Sequence, residues 1–184
     1  RQIAHDLAAV GHNKAQSVVQ RLGAINPLIC AQALALRLEA SALDEQVAGA
    51  DVVLDCSDNF ATRQAINAAC VRHRKPLVAG AALGFDAQIS VYDARDPVSP
   101  CYACVFPPQQ QPQEMRCAVM GVFAPLVGII GSMQAAEALK LLLGIGPTLV
   151  GRLQMLDARG MQWSELRLGR QPDCPVCGHQ LRPT

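Results

Sequence analysis

Two C-x-x-C pairs, Cys101 with Cys104 and Cys174 with Cys177, constrain this chain more than any other feature. Two thiolates at that spacing reach adjacent corners of a tetrahedron and can chelate one ion. All of 105–173 lies between the pairs, far more than a zinc ribbon spans. If both pairs share one zinc, the tail is tied back to a distant loop. Pro100, Pro172 and Gly178 flank the pairs as turn residues. Two disulfides, or four free thiols, are the other readings. Small disulfide frameworks sit in loop-rich domains with little core, whereas this chain has 184 residues, 51% of them hydrophobic. Zinc is therefore favoured. Four thiolates leave no open coordination position, which argues for a structural ion rather than a catalytic one. A reducing cytoplasm is the natural setting.

The length suits one domain with a sizeable core, here 1–184. A net charge of +1 and 17% charged residues give no electrostatic footprint for nucleic acid or an anionic membrane. The longest near-apolar stretch, Ala118 to Met133, is broken by Gly121, Pro125, Gly128 and Gly131, and Glu137 and Lys140 follow. A buried helix fits it better than a membrane span. No signal peptide is visible. The first residue is Arg1 rather than Met, so an N-terminally truncated or processed chain is expected.

Helices and strands alternate along the chain. Val18, Val19 and Leu22 mark a helix over 14–23, ended by Asn26-Pro27. A strand is expected over 28–34 and a short amphipathic helix over 44–48. Asp51 to Cys56 reads as a strand buried on both faces. A helix over 62–73 would bury Ala65, Ile66, Ala69 and Cys70. Strands follow at 76–80 and 88–92, the second not necessarily parallel. A mobile loop over 107–116, rich in Gln and Pro, holds no core-forming residue. A helix over 124–143 and strands at 153–157 and 163–168 precede a zinc-knuckle tail over 171–184. The pattern predicts a doubly wound, Rossmann-like α/β sheet, mostly parallel, with antiparallel strands toward the C-terminal half.

Ligands of such sheets bind beyond the carboxyl ends of the strands. Ser57, Asp58 and Asn59 would then face a ligand crevice. Asp58 suits Mg2+, which prefers carboxylate and phosphate oxygens. It equally suits the cap of the helix near Thr62, and spacing does not choose. Arg1, Lys14 and Arg63 can bind phosphate, although a single cation at a helix start is more often a solvated surface charge. Cys117 follows Arg116, and a neighbouring cation favours the nucleophilic thiolate. Its bland alternative is an inert buried thiol like Cys30, Cys56 or Cys70. No G-x-G-x-x-G phosphate loop occurs in these residues.

In order along the chain stand Arg1-Gln2, Gly11-x-x-Lys14-Ala15, the D-C-S-D-N block over Asp55–Asn59, and Arg63. Cys101-Tyr-x-Cys104-x-Phe-Pro107 follows, then Gly121-Val-x-Ala-Pro125 with Gly128 and Gly131. Gln134-Ala135, Glu137-Ala138 and Cys174-Pro-x-Cys177-Gly178 complete the series. Together these blocks resemble the ThiF/MoeB/HesA family of adenylyltransferases, relatives of the ubiquitin-activating enzymes, over essentially the whole chain. The resemblance implies ATP-dependent adenylation of the C-terminal Gly-Gly of a small ubiquitin-like sulfur-carrier protein. Such carriers serve thiamine or molybdopterin cofactor biosynthesis. Gln162-Trp163-Ser164 and the Cys-Pro-Val-Cys-Gly tail stand slightly closer to the thiamine branch.

By the same resemblance, Arg1 and Lys14 contact the ATP phosphates and Arg1-Gln2 ends the family's N-L-x-R-Q motif. Asp58 holds Mg2+, Asn59 lies beside the nucleotide, and Cys117 takes part in sulfur transfer after adenylation. A homodimer is implied, with no nucleic-acid or membrane partner. The family's glycine-rich loop and ribose-binding acid would precede Arg1, so residues 1–184 alone are expected to adenylate little or not at all. The competing reading is a non-catalytic, zinc-stabilised module that grips a ubiquitin-like partner.

Overall fold

A computed structural model describes residues 4–109 and 121–178. Arg1, Gln2, Cys117, the 110–116 part of the expected mobile loop and 179–184 of the tail lie outside the described residues. The chain divides into two compact units, 1–39 and 40–184.

In the first unit a short 3-10 turn, Leu7–Ala9, precedes helix α1, Lys14–Ile25. Asn13 caps α1, its Oδ1 accepting from the N–H groups of Ala15 at 2.9 Å and Gln16 at 3.4 Å. The strand expected over 28–34 is absent. Asn26 instead accepts from the N–H of Leu28 through its side chain at 3.0 Å, making an Asx turn. A strand needs a partner ladder for its backbone groups, and Leu28 lies 94% exposed with none.

The second unit is a five-stranded sheet with helices on both faces. Its elements are α2 (Ala40–Gly49), β1 (Val53–Asp55), α3 (Phe60–Arg72), β2 (Pro76–Leu83) and β3 (Asp86–Asp93). They continue with α4 (Tyr102–Val105), α5 (Ala124–Leu143), β4 (Arg152–Asp157) and β5 (Gln162–Arg167). The strands lie in chain order, β1-β2-β3-β4-β5. β1 and β2 run parallel, Val53 opposite Leu77 and Asp55 opposite Ala79. The remaining neighbours pair antiparallel, so the antiparallel strands fall toward the C-terminal half as expected. β1 is shorter than its apolar run and Leu54 is 42% exposed, because β1 ends the strand order among the described residues.

Alternation along β2 sends successive side chains to opposite faces. Leu77 and Ala79 pack with α2, α3 and α4, through Val47, Ala69, Cys70 and Tyr102. Val78 joins Ile89, Val91 and Ala138 against α5. α5 buries Leu126, Ile130, Gln134, Glu137 and Ala138, one stripe of helical period. Its C-terminus closes on Gly144 in the left-handed region, φ 64°. By length and composition α5 could cross a membrane; here its stripe lies on β2 and β3.

Candidate functional site

Within the second unit, α4 opens at Cys101, and the turn after Gln171 carries Cys174 and Cys177. Their sulfurs converge. Sγ···Sγ distances are 3.4 Å for Cys104–Cys177, 3.6 Å for Cys101–Cys174 and 3.9 Å for Cys101–Cys104. All four lie within 4.8 Å of one another. Four sulfurs around zinc at its usual bond length would stand about 3.8 Å apart. No disulfide joins the described cysteines. Cys101, Cys174 and Cys177 are buried and Cys104 half-buried.

The Cys104 thiol is pulled down, first by a hydrogen bond from the Cys101 thiol and also by the Gln171 N–H, 3.4 Å from its sulfur. Four adjoining thiols do not all ionise without a cation, so this donor set suits a thiophilic metal. The knuckle is tight. The Gly178 N–H donates to the Cys174 carbonyl at 2.9 Å. A Cβ on Gly178 would lie 2.5 Å from the Pro172 oxygen, so only glycine fits there. Arg170 donates to the Cys177 and Pro97 carbonyls, fastening the knuckle to the loop after β3.

The second cluster surrounds the carboxyl end of β1. Asp55 is 1% exposed; its Oδ1 accepts from the Ser57 N–H at 2.8 Å and its Oδ2 lies 3.7 Å from Arg63 Nη1. Arg63 spends its other nitrogen on the carbonyls of Ser57 and Gly80. It is thus a buried tie within the fold rather than a free phosphate ligand. Asn59, not Asp58, caps α3, its Oδ1 accepting from the Thr62 N–H at 2.9 Å. Asp58 is exposed, and among the described residues its carboxylate has no side-chain partner. The cap reading of Asp58 is therefore corrected: the backbone reaches capping geometry one residue later.

Gln134 reaches from α5 into the seam between β1 and β2. Its Nε2 donates to the Asp55 carbonyl at 2.9 Å and the Val78 carbonyl at 3.2 Å. Its Oε1 accepts from the Cys56 thiol at 3.5 Å. Gly80 leaves room for it: a Cβ there would fall 2.5 Å from Gln134 Cδ. Gly80→Ala should therefore cost about 1–3 kcal/mol, read as a lowered urea midpoint. Adding Gln134→Ala should cost less than the sum of the two single changes, because the clash is then gone.

Lys14 is exposed at the first turn of α1, beside an open concavity of about 470 Å³ that His5, Val18 and Gln32 also line. It belongs to the first unit, whereas Asp58, Asn59 and the cysteines belong to the second. Cys70 matches the inert buried thiol, burial pushing it up to about 12. Cys30 does not, since it is exposed; Cys56 is exposed as a residue, yet its thiol is held on Gln134 and burial pushes it up, so it is inert without being fully buried. Ala65 is exposed too and Ile66 only half-buried; α3 buries Ala69 and Cys70 as expected, with Arg63, Asn67 and Val71 beside them. Asn67 escaped the sequence reading, and Gln134 entered it only as part of a family block with no role, because amides usually face water. The spacing of Arg63, Asn67 and Cys70, four residues then three, is the signal that places them on one face.

The ThiF family model matches residues 1–176. The chain is 46% identical over 178 residues to the sulfur carrier protein ThiS adenylyltransferase of Escherichia coli, covering 97% of this chain and 70% of that protein. It is 40% identical over 178 residues to the molybdopterin-synthase adenylyltransferase of Salmonella typhimurium, covering 97% and 71%. Among solved structures, Escherichia coli MccB with ATP shares the fold, with a TM-score of 0.79 at 22% identity over 97% of this chain. The chain spans 55% of the length of that structure. A match along nearly its whole length, to a family whose similar members are named adenylyltransferases, makes this chain a member of the ThiF family.

Proposed function

We propose that the protein adenylates the C-terminal Gly-Gly of a small ubiquitin-like sulfur-carrier protein. A carboxylate oxygen of the carrier attacks the α-phosphorus of ATP. The bond to the β-phosphate oxygen breaks, pyrophosphate leaves, and an acyl-adenylate remains. Such a displacement needs positioning and charge neutralisation more than covalent help. The observation that carries this reading is the turn after β1. There an exposed Asp58 carboxylate has no side-chain partner among the described residues, while its neighbours Asp55, Ser57 and Asn59 are spent on holding the backbone. The family's adenylyltransferase relatives supply the reaction class.

In this reading Asp58 holds Mg2+, which would neutralise phosphate charge. Asn59 uses its oxygen as a cap, leaving its amide nitrogen for the nucleotide. Arg1 and Lys14 serve the ATP phosphates, Gln2 belongs to the same nucleotide site, and Cys117 serves sulfur transfer after adenylation. The four cysteines hold zinc as a structural clamp, which favours the reducing cytoplasm. A homodimer is the proposed assembly, supported by the exposed Leu139, Leu142 and Leu143 at the end of α5. Between carriers, the thiamine-branch one is proposed first.

The test is ATP–pyrophosphate exchange by the full-length protein, with purified thiamine-branch and molybdopterin-branch carriers in parallel. Carrier-dependent exchange, with the adenylate seen by mass spectrometry on one carrier, is expected. Carrier binding without exchange would replace the enzyme reading by the binding-module reading.

A further inference from the structure

We infer that Asn67 is a positioning residue of the cysteine cluster, linking the metal-bound Cys101 thiolate to helix α3. The inference rests on the zinc reading above. Asn67 is wholly buried, at 0% exposure, and both ends of its amide are used. Oδ1 accepts from the Tyr102 N–H at 2.9 Å, and Nδ2 faces Cys101 Sγ at 3.7 Å.

The chemistry fixes the orientation of the amide. A backbone N–H can only donate, so the oxygen must face Tyr102 and the NH2 group must face the sulfur. A metal-bound thiolate can only accept. An N–H···S bond stabilises that charge and holds the sulfur at its tetrahedral corner, as outer-shell partners do at metal sites. Aspartate would fill the same space and keep the Tyr102 bond, yet would set an oxygen against the thiolate. The position therefore needs an amide, and a polar residue of that shape is not enough.

The link has a direction along the fold. Asn67 sits eight positions after Asn59, about 12 Å along α3. The helix that begins beside Asp58 is thereby keyed to the loop that begins at Cys101. The amide contributes to how tightly the metal is held.

The test uses the full-length protein loaded with zinc, and follows release to a chromogenic chelator. Asn67→Ala and Asn67→Asp should both release zinc about 10–100-fold faster than wild type. Leu126→Ala, on the opposite face of the sheet, loses stability without touching the cysteines, and should release zinc at the wild-type rate. Wild-type release from Asn67→Asp, or equal acceleration by Leu126→Ala, would overturn the inference. Should both Asn67 variants fail to fold, wild-type protein loaded with NMR-active cadmium decides. The Asn67 side-chain amide must show coupling to cadmium through the hydrogen bond, and its absence overturns the inference. Wild-type protein that binds no zinc at all sinks the zinc reading and this inference together. Zinc-replete wild type with unaffected variants sinks this inference alone.

Discussion

Cys174→Ser should strip the protein of zinc and lower its melting temperature by about 10 °C. Buried apolar neighbours around the four sulfurs are few. The cluster is Val71 and Ala103 with Cys101, Cys174 and Cys177, and Cys104 and Val176 pack against it. Without an ion, that centre is a set of thiols at 3.4–3.9 Å with little apolar area to hold them together. Serine fills the space of cysteine, but its hydroxyl does not ionise near neutral pH and makes a poor zinc ligand. Three remaining thiolates would hold the metal far less tightly, and the knuckle over 171–178 would lose its tie to the loop at Cys101.

Losing a structural metal belongs to the severe class of substitutions, here about 3 kcal/mol or more. In a domain of this size each kcal/mol moves the midpoint by about 2–4 °C. Chelator treatment of the wild type should produce the same drop, and zinc should reverse it only in the wild type. An unchanged metal content and melting temperature in Cys174→Ser would end the clamp reading. Activity should fall only as far as the fold does, because a four-thiolate site has no open position for substrate.

What could be read from the residues, and what could not, divides by range. α5 begins and ends where expected, at Ala124 and Leu143, because Pro125 and Gly144 are local punctuation. The C-x-x-C pairs could be paired at a distance because thiol chemistry leaves few other uses for that spacing. The strand expected over 28–34 failed for lack of a partner, which no pattern within the segment can supply. β1 was drawn too long and too buried because its place at the end of the strand order is a property of the sheet.

Around the site the same rule holds. Arg63 could be read as a phosphate ligand or, more often, as a solvated surface charge; it is buried instead on the carbonyls of Ser57 and Gly80, and the latter is brought near only by folding. Gln134 and Asn67 are ordinary amides in the sequence. Their use is visible only when the carbonyl ends of β1 and β2, or the Cys101 sulfur, are placed beside them. By spacing Asp58 is open as a cap or a Mg2+ ligand, and one residue of backbone path gives the cap to Asn59. That outcome separates the two carboxylates of the D-C-S-D-N block: Asp55 is structural, and Asp58 has no side-chain partner among the described residues.

Asp58→Asn, for that reason, should abolish most adenylation while leaving the fold intact. The substitution keeps size and shape and removes one charge. Its stability cost should stay below about 1 kcal/mol, because the side chain is exposed and its favourable effect is on the positive N-terminal end of α3. The effect on ATP–pyrophosphate exchange should be far larger, about 100–1,000-fold, as when one preorganised charge-stabilising group is removed from a reacting centre. Asp55→Asn should behave in the opposite way. There the change weakens the buried pair with Arg63, at 3.7 Å, and should lower the melting temperature before it touches the chemistry. If Asp58→Asn keeps exchange within a few fold of wild type across a Mg2+ titration, the metal-holding role of Asp58 is wrong. The exposed carboxylate would then be only a favourable charge at the start of α3.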